Sequence, residues 1–215
     1  SRQLSWAQSK MKKLFGILFF LFTAPSIACS EPANIILILA DDVSADMFSC
    51  YGQPDSAHTP NIDQIATNGV CFRTCFAPAI CAPSRACLMT GIYGNRTGVF
   101  RNDMWAFDSR GTLFTAQPSW AKLIHDAGYA TAIAGKWHCG AKEAWEDVVG
   151  FDEYCLWQLT RRPARYASPG MEVNGKEIDY PGKYGPDIAS DYLCGFIERN
   201  KDRPFFGYYP MILPH

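Results

Sequence analysis

Apolar runs bounded by Gly and charged residues predict the strands of this chain. Residues 34–40 form an unbroken, β-branched run, which is typical of a central parallel strand buried on both faces. Residues 129–135 and 204–211 are apolar in the same way, and we expect them to be two further core strands. The pattern therefore predicts an α/β fold with a mostly parallel central sheet.

Helices are predicted between these strands. A helix opened by Pro60 should run to about Asn68, and residues 119–128 and 187–200 carry apolar side chains at helical spacing. The helix at 119–128 leads directly into a strand, which is a crossover of the parallel type. We therefore expect helices to flank the sheet.

Two stretches give weaker signals. Residues 70–76 alternate loosely, which favours a short strand or an extended segment. Between positions 150 and 187 the chain is rich in Pro, Gly and Tyr, and we expect a long functional loop there. Its grouped Arg161, Arg162 and Arg165 would contact an anionic saccharide or simply be solvated.

A cysteine lies where a loop turns into a helix. Pro83 suits a first helical turn, residues 86–89 continue with good helix formers, and Gly91 is a natural end. Cys81 should therefore lie near a helix N-terminus, where free backbone N–H groups favour a thiolate, an oxyanion or a bound ester. Arg85 is one turn further on, within reach of the same anion.

Charged residues follow the first two predicted strands. Asp41 and Asp42 would emerge at a strand's carboxyl end, where ligands of open α/β sheets bind. They could supply oxygen ligands to Ca²⁺ or Mg²⁺, or else cap a turn and be solvated. Lys136 and His138, one residue apart, should point to the same side beside the first strand's end.

Composition narrows the classes of function. The chain has 215 residues, 48% hydrophobic and 19% charged, which is enough for one sizeable core. The formal net charge is -1 and no long run of one sign occurs, so we expect no nucleic-acid partner. An anionic ligand would have to be held by local charges.

The first residues have the layout of an export signal. A basic start at 11–13 precedes an apolar run too short to span a bilayer, followed by small residues. We expect residues 1–10 to be an upstream extension, 11–28 a signal peptide, and the protein to be periplasmic or secreted. Cleavage there would expose Cys29, so a lipoprotein held to a membrane through Cys29 is the alternative.

Nine cysteines in an exported protein would ordinarily suggest disulfides. An odd number cannot be fully paired within the chain. The spacing from Cys71 to Cys75 hints at zinc, but no second Cys or His pair completes a site with the usual spacing. We therefore expect no structural zinc.

The pattern Cys-x-Pro-Ser-Arg that begins at Cys81, with Leu-Met-Thr-Gly ending at Gly91, resembles the modification motif of the sulfatase family. The phrases beginning at Thr59 (Thr-Pro-Asn-Ile-Asp) and Gly135 (Gly-Lys-Trp-His) are similar to further sulfatase motifs. This resemblance covers residues 33–215 and implies a truncated alkaline-phosphatase-like fold, the N-terminal part of a sulfatase catalytic domain. Family members continue further, with more calcium ligands and another sulfate-binding lysine.

The resemblance implies a nucleophile and a metal. Cys81 would be oxidised to formylglycine by a formylglycine-generating or other sulfatase-maturating enzyme, and the hydrated aldehyde would attack sulfur. Ca²⁺, with Mg²⁺ as the alternative, would be bound by Asp41, Asp42 and the modified residue 81.

It also implies how the sulfate group is held. Arg85, Lys136 and the His215 that follows the third strand would contact its charged oxygens, and Lys136 would also contact the formylglycine diol. His138 would take part in proton transfer on the modified residue.

The expected activity is hydrolysis of sulfate esters, of a sulfated carbohydrate or an aryl sulfate. One alternative is a phosphate-ester or phosphonate hydrolase of the same superfamily, since some such enzymes share the Cys-x-Pro-Ser-Arg motif. The other is an inactive fragment that binds anions, because of the truncation.

Overall fold

The computed structural model describes residues 32–102, 118–139, 149–157 and 163–215. The residues from Ala33 to His215 form one compact unit. The predicted upstream extension at 1–10 and the predicted signal peptide at 11–28 lie outside the described residues, as do Cys29, Arg161 and Arg162. Within the described ranges, no helix has the length and apolar character needed to cross a membrane.

The fold is built on one six-stranded sheet. Its strands are β1 (Ile35–Asp41), β2 (Ala130–Lys136), β3 (Glu153–Trp157), β4 (Gly170–Val173), β5 (Lys176–Asp179) and β6 (Phe205–Pro214). Their order across the sheet is β1-β6-β2-β3-β4-β5. The first four in this order pair in parallel, whereas β4 and β5 are antiparallel additions. The predicted α/β fold with a mostly parallel sheet is confirmed.

Helices cover both faces of this sheet. They are α1 (Pro60–Asn68), α2 (Cys81–Thr90), α3 (Gly94–Thr97), α4 (Trp120–Asp126) and α5 (Gly185–Asn200), with short 3-10 turns at Ala45–Met47 and Ser49–Tyr51. Buried residues of α2 and α4 pack with Ile133, Phe206 and Tyr208 on one face. Those of α5 pack with Phe205 and Ile212 on the other.

The prediction that the first strand is central and buried on both faces is wrong for the described residues. Among the strands that the structure describes, it pairs only with β6, and Ile36 and Ile38 are 54% and 57% exposed. The strand buried along its whole length is β2. Since β6 lies between β1 and β2, the first two strand ends are separated by a third strand and do not adjoin.

The predicted long loop between positions 150 and 187 is also wrong, because β3, β4 and β5 lie there. An Asn-Gly pair at Asn174 and Gly175 joins β4 to β5, and both residues have positive φ, 47° and 81°. This pair is the strongest local signal for a two-residue hairpin. Residues 70–76 contain no helix or strand, and Phe72 and Phe76 are exposed.

The cysteines among the described residues are all free thiols. Burial raises the pKa of the Cys155 thiol in β3 to about 12, so this thiol should be chemically inert at neutral pH.

A glycine lets β2 approach β6 closely at the end of the strand. Gly135 has a φ of 129°, and a Cβ added there would lie 2.0 Å from the carbonyl oxygen of Pro210. Any side chain would therefore collide with backbone that has no room to move. The residue that follows is Lys136, at the end of β2.

We predict that Gly135→Ala lowers the free energy of unfolding by about 3 kcal/mol or more, since it adds a backbone collision to the cost of a positive φ. Gly182→Ala is the matched control. Its φ is 73° but nothing lies within 4 Å of an added Cβ, so it should cost only about 1 kcal/mol. Urea unfolding measures both, and equal costs would contradict the collision.

Candidate active site

The carboxyl ends of three parallel strands and the N-terminus of one helix form the candidate site. β1 ends at Asp41, opposite Pro214 of β6 in the sheet register. β2 ends at Lys136, and α2 begins at Cys81. Parallel strands place their carboxyl ends at one edge of a sheet, so residues distant in the sequence meet there.

The thiol of Cys81 lies between two side chains. Its Sγ is 3.3 Å from Nδ1 of His138 and 3.3 Å from Oδ1 of Asn102. The same Oδ1 accepts a hydrogen bond from the backbone N–H of Ala82, at 3.2 Å. Sequence reasoning missed Asn102, because it belongs to none of the motifs and only the fold brings it to the helix start.

Three buried charged residues form what we call the charge cluster: Asp41, Arg85 and Lys136. The Asp41 carboxylate lies 2.6 Å from Nζ of Lys136 and 3.4 Å from a terminal nitrogen of Arg85. Arg85 also donates to the backbone oxygen of Lys136, at 2.7 Å. All three are at most 4% exposed.

The charge cluster pairs two cations with one carboxylate. Buried charges are costly unless they are paired, and the second carboxylate near these cations, that of Asp42, is exposed and bonded to His215, so the cluster favours a bound anion. In addition, the Nε of Arg85 is buried and has no hydrogen-bond partner among the described residues. The arrangement therefore has an excess of donors over acceptors.

A second pair lies at the rim of the site. His215 Nδ1 contacts the carboxylate of Asp42, and this hydrogen bond is the main cause that lowers the pKa of Asp42. The backbone oxygen of His215 accepts hydrogen bonds from Arg165, at 3.2 Å, and from the hydroxyl of Tyr166. Arg165 also lies over the ring of Trp157, 4.8 Å from its centroid.

Two residues of the site have left-handed backbone conformations. Asp42 and His138 both have a φ of 58°, although neither is Gly. Such conformations cost on the order of 1 kcal/mol or more and persist where the surrounding structure imposes them. Here they turn the chain directly after β1 and after Lys136 at the end of β2.

The predicted site residues thus lie together at one edge of the sheet. They are Cys81, Arg85, Lys136 and His138, and His215 pairs with Asp42 at the same edge. The metal assignment to Asp41, Asp42 and Cys81 stays a prediction. In the part of the chain that the structure describes, no group of three or more His, Cys, Asp or Glu side chains is arranged to hold a metal ion.

Comparison with known proteins identifies relatives along nearly the whole described chain. A family model described as Sulfatase matches residues 33–215. N-acetylglucosamine-6-O-sulfatase of Bacteroides thetaiotaomicron is 34% identical over 217 residues, covering 96% of this chain and 36% of that protein. Human steryl-sulfatase is 46% identical over 136 residues, 61% of this chain and 23% of that protein. The chain thus spans about a quarter to a third of these relatives.

Solved structures share the fold. One, in complex with its substrate D-glucosamine-2-N,6-O-disulfate, has a TM-score of 0.73 and 34% identity over 86% of this chain and 35% of its own. A sulfatase from Pseudoalteromonas sp. has a TM-score of 0.67 at 23% identity, covering 86% of this chain and 44% of its own, which supports the fold alone. The chain belongs to the sulfatase family and has its alkaline-phosphatase-like α/β architecture.

Proposed function

We propose that the full-length protein hydrolyses sulfate esters at the site around residue 81. The observation that carries this proposal is the charge cluster, in which buried Arg85 and Lys136 outnumber the single carboxylate of Asp41. A sulfate ester would bring the negative charge that this cluster lacks. Donors that are fixed before the reaction stabilise developing charge without reorganising, and in many enzymes this effect contributes most of the rate enhancement.

The nucleophile of the proposed reaction is a hydrated formylglycine made from Cys81. A sulfatase-maturating enzyme would supply the two-electron oxidant that converts the thiol-bearing carbon to a thioaldehyde. Water would then replace the sulfur, which leaves as hydrogen sulfide, to give the aldehyde. The position of Sγ, next to His138, stands in for one oxygen of the hydrate. The helix start of α2 favours negative charge on that oxygen.

The proposed reaction has two chemical steps. One diol hydroxyl forms a bond to sulfur while the bond from sulfur to the alcohol oxygen breaks, and the alcohol leaves with a proton. The remaining hydroxyl then gives its proton to His138, the aldehyde reforms, and sulfate departs with the bonding electrons. Water rehydrates the aldehyde, so ester and water yield alcohol and hydrogen sulfate. Arg85, Lys136 and His215 would hold the sulfate oxygens.

The proposed site also includes a calcium ion, to which two carboxylates would bind. Asp41 and Asp42 offer carboxylate oxygens, the donor type that Ca²⁺ and Mg²⁺ bind. Ca²⁺ takes about six to eight oxygens, however, and the two carboxylates are engaged by Lys136, Arg85 and His215. The carboxylates are therefore the right type of ligand for Ca²⁺, but they supply fewer oxygens than the ion requires. When bound, the ion would withdraw charge from the sulfate oxygens.

For the substrate, we propose a sulfated saccharide, with an aryl sulfate as the second class. A structural relative at 34% identity holds a disulfated glucosamine as its substrate. Arg165, stacked on the buried ring of Trp157 beside His215, gives the rim of the site a cation. We also propose export to the periplasm or exterior, on the layout of residues 11–28.

Paired assays distinguish the sulfatase from the related hydrolases. We expect the full-length protein to turn over an aryl sulfate with a kcat/KM at least about 100-fold above that for the matching aryl phosphate. The reason is that the charge cluster, with two cations and one carboxylate, matches the single negative charge of a sulfate ester. A reversed ratio would favour the phosphate-ester or phosphonate hydrolase. Absence of both activities in protein carrying formylglycine would favour the anion-binding fragment.

Removing the sulfur-bearing side chain tests the nucleophile. We expect Cys81→Ala to lower kcat at least about a thousandfold, since no diol can form. The control is Cys87→Ala in the same helix, which should leave kcat within a few-fold. Peptide mass spectrometry should find formylglycine at position 81 in active protein, and unmodified Cys81 in fully active protein would rule out the aldehyde step.

Neutralising one cation of the charge cluster tests the anion site. We predict that Lys136→Met lowers kcat/KM by about 100-fold or more, because a donor to the sulfate is lost while Asp41 loses its 2.6 Å partner. The control is Lys201→Met, which removes an exposed lysine paired with Glu198 and should change little. Steady-state kinetics on an aryl sulfate measure both. A fall of less than tenfold for Lys136→Met would argue against a role in holding sulfate.

A further inference from the structure

Asn102 holds the reactive end of α2 from outside the helix. Its Oδ1 accepts from the backbone N–H of Ala82, at 3.2 Å, and from the thiol of Cys81, at 3.3 Å. These contacts span 20 and 21 residues of sequence. Asn102 is itself exposed, so burial does not explain why its side chain lies there.

The first turn of α2 lacks the usual internal cap. Its N-cap residue is Ile80, which makes no side-chain hydrogen bond to the helix. Pro83 has no N–H, and the N–H of Ser84 bonds to the backbone oxygen of Ile80 at 3.2 Å. An N-cap side chain normally accepts from the first-turn N–H groups. Asn102 supplies that acceptor to Ala82 instead.

The contact with Ala82 also fixes which way the amide of Asn102 points. A backbone N–H can only donate, so the amide oxygen must face it and a flipped amide would set two donors against each other. The same oxygen therefore faces Sγ of Cys81. On the other side of Sγ lies Nδ1 of His138, at 3.3 Å. The reactive atom is thus held between two partners that fix its side-chain torsion.

We propose that Asn102 is a positioning residue, which caps α2 and holds the reactive group at residue 81 against His138. In the matured protein the position of Sγ becomes that of a diol oxygen, and Asn102 would keep this oxygen next to His138. The consequence for turnover rests on the proposed sulfatase function. The expected effects on hydrogen exchange at the helix start and on alkylation of the thiol are independent of that function.

Three variants of the full-length protein test the proposal: Asn102→Ala, which removes the acceptor, Asn102→Asp, which keeps it, and the control Asn68→Ala. Asn68 bonds to the backbone oxygen of Gln64 at the end of α1, a helix that contains none of the candidate site residues. The readouts are hydrogen exchange at Ala82, the alkylation rate of unmodified Cys81 at one pH by peptide mass spectrometry, and kcat and KM of the matured protein.

For Asn102→Ala we expect exchange at Ala82 to rise about tenfold, as for a lost N-cap, and Cys81 to be alkylated several-fold faster. In matured protein kcat should fall about 10- to 100-fold with KM nearly unchanged, since a misplaced reacting atom slows chemistry and leaves binding intact. Asn102→Asp should retain the exchange protection and recover part of kcat. Asn68→Ala should change none of the three.

Unchanged exchange at Ala82 and unchanged alkylation of Cys81 in Asn102→Ala would overturn the proposal. Equal losses in Asn102→Ala and Asn102→Asp, with exchange raised throughout the sheet, would also overturn it, because they indicate a general structural role. If the wild-type matured protein has no sulfatase activity, the proposed function fails, whereas exchange and alkylation still decide whether Asn102 positions residue 81.

Discussion

The buried carboxylate of Asp41 is the group on which the rest of the site depends. It lies at the end of β1 and pairs with Lys136 from β2 and Arg85 from α2. A buried charge without partners would cost several kcal/mol, so these three elements stabilise one another only when all are in place. This ion-paired group joins the helix that carries Cys81 to the edge of the sheet.

Backbone geometry sets the distances within that edge. Gly135 lets β2 lie against Pro210 of β6, closer than any side chain would allow. Left-handed turns at Asp42 and His138 then direct the chain immediately beyond two strand ends. The geometry of the site therefore relies on a few positions whose backbone conformation is constrained, and these are next to the charge cluster in the sequence.

Local sequence signals correctly predicted the strands and the helix that hold the candidate site residues. The apolar runs located β1, β2 and β6, and the Pro83 and Gly91 boundaries located α2. These signals failed where the structure of a segment depends on which strand it pairs with. Since an apolar strand can be central or at an edge, the sequence did not show that β1 is exposed on one face, and the Asn174-Gly175 hairpin was obscured by its Pro- and Gly-rich surroundings.

The sequence by itself determined the family and the candidate residues of the site, because the motif around Cys81 and the residues ending each strand are short and contiguous. Only the tertiary structure decided which of them touch. The position of β6 between β1 and β2, the pairing of Asp41 with two cations, and the approach of Asn102 to the helix start all join residues far apart in the chain. Such contacts arise from sheet order and packing, which local periodicity does not encode.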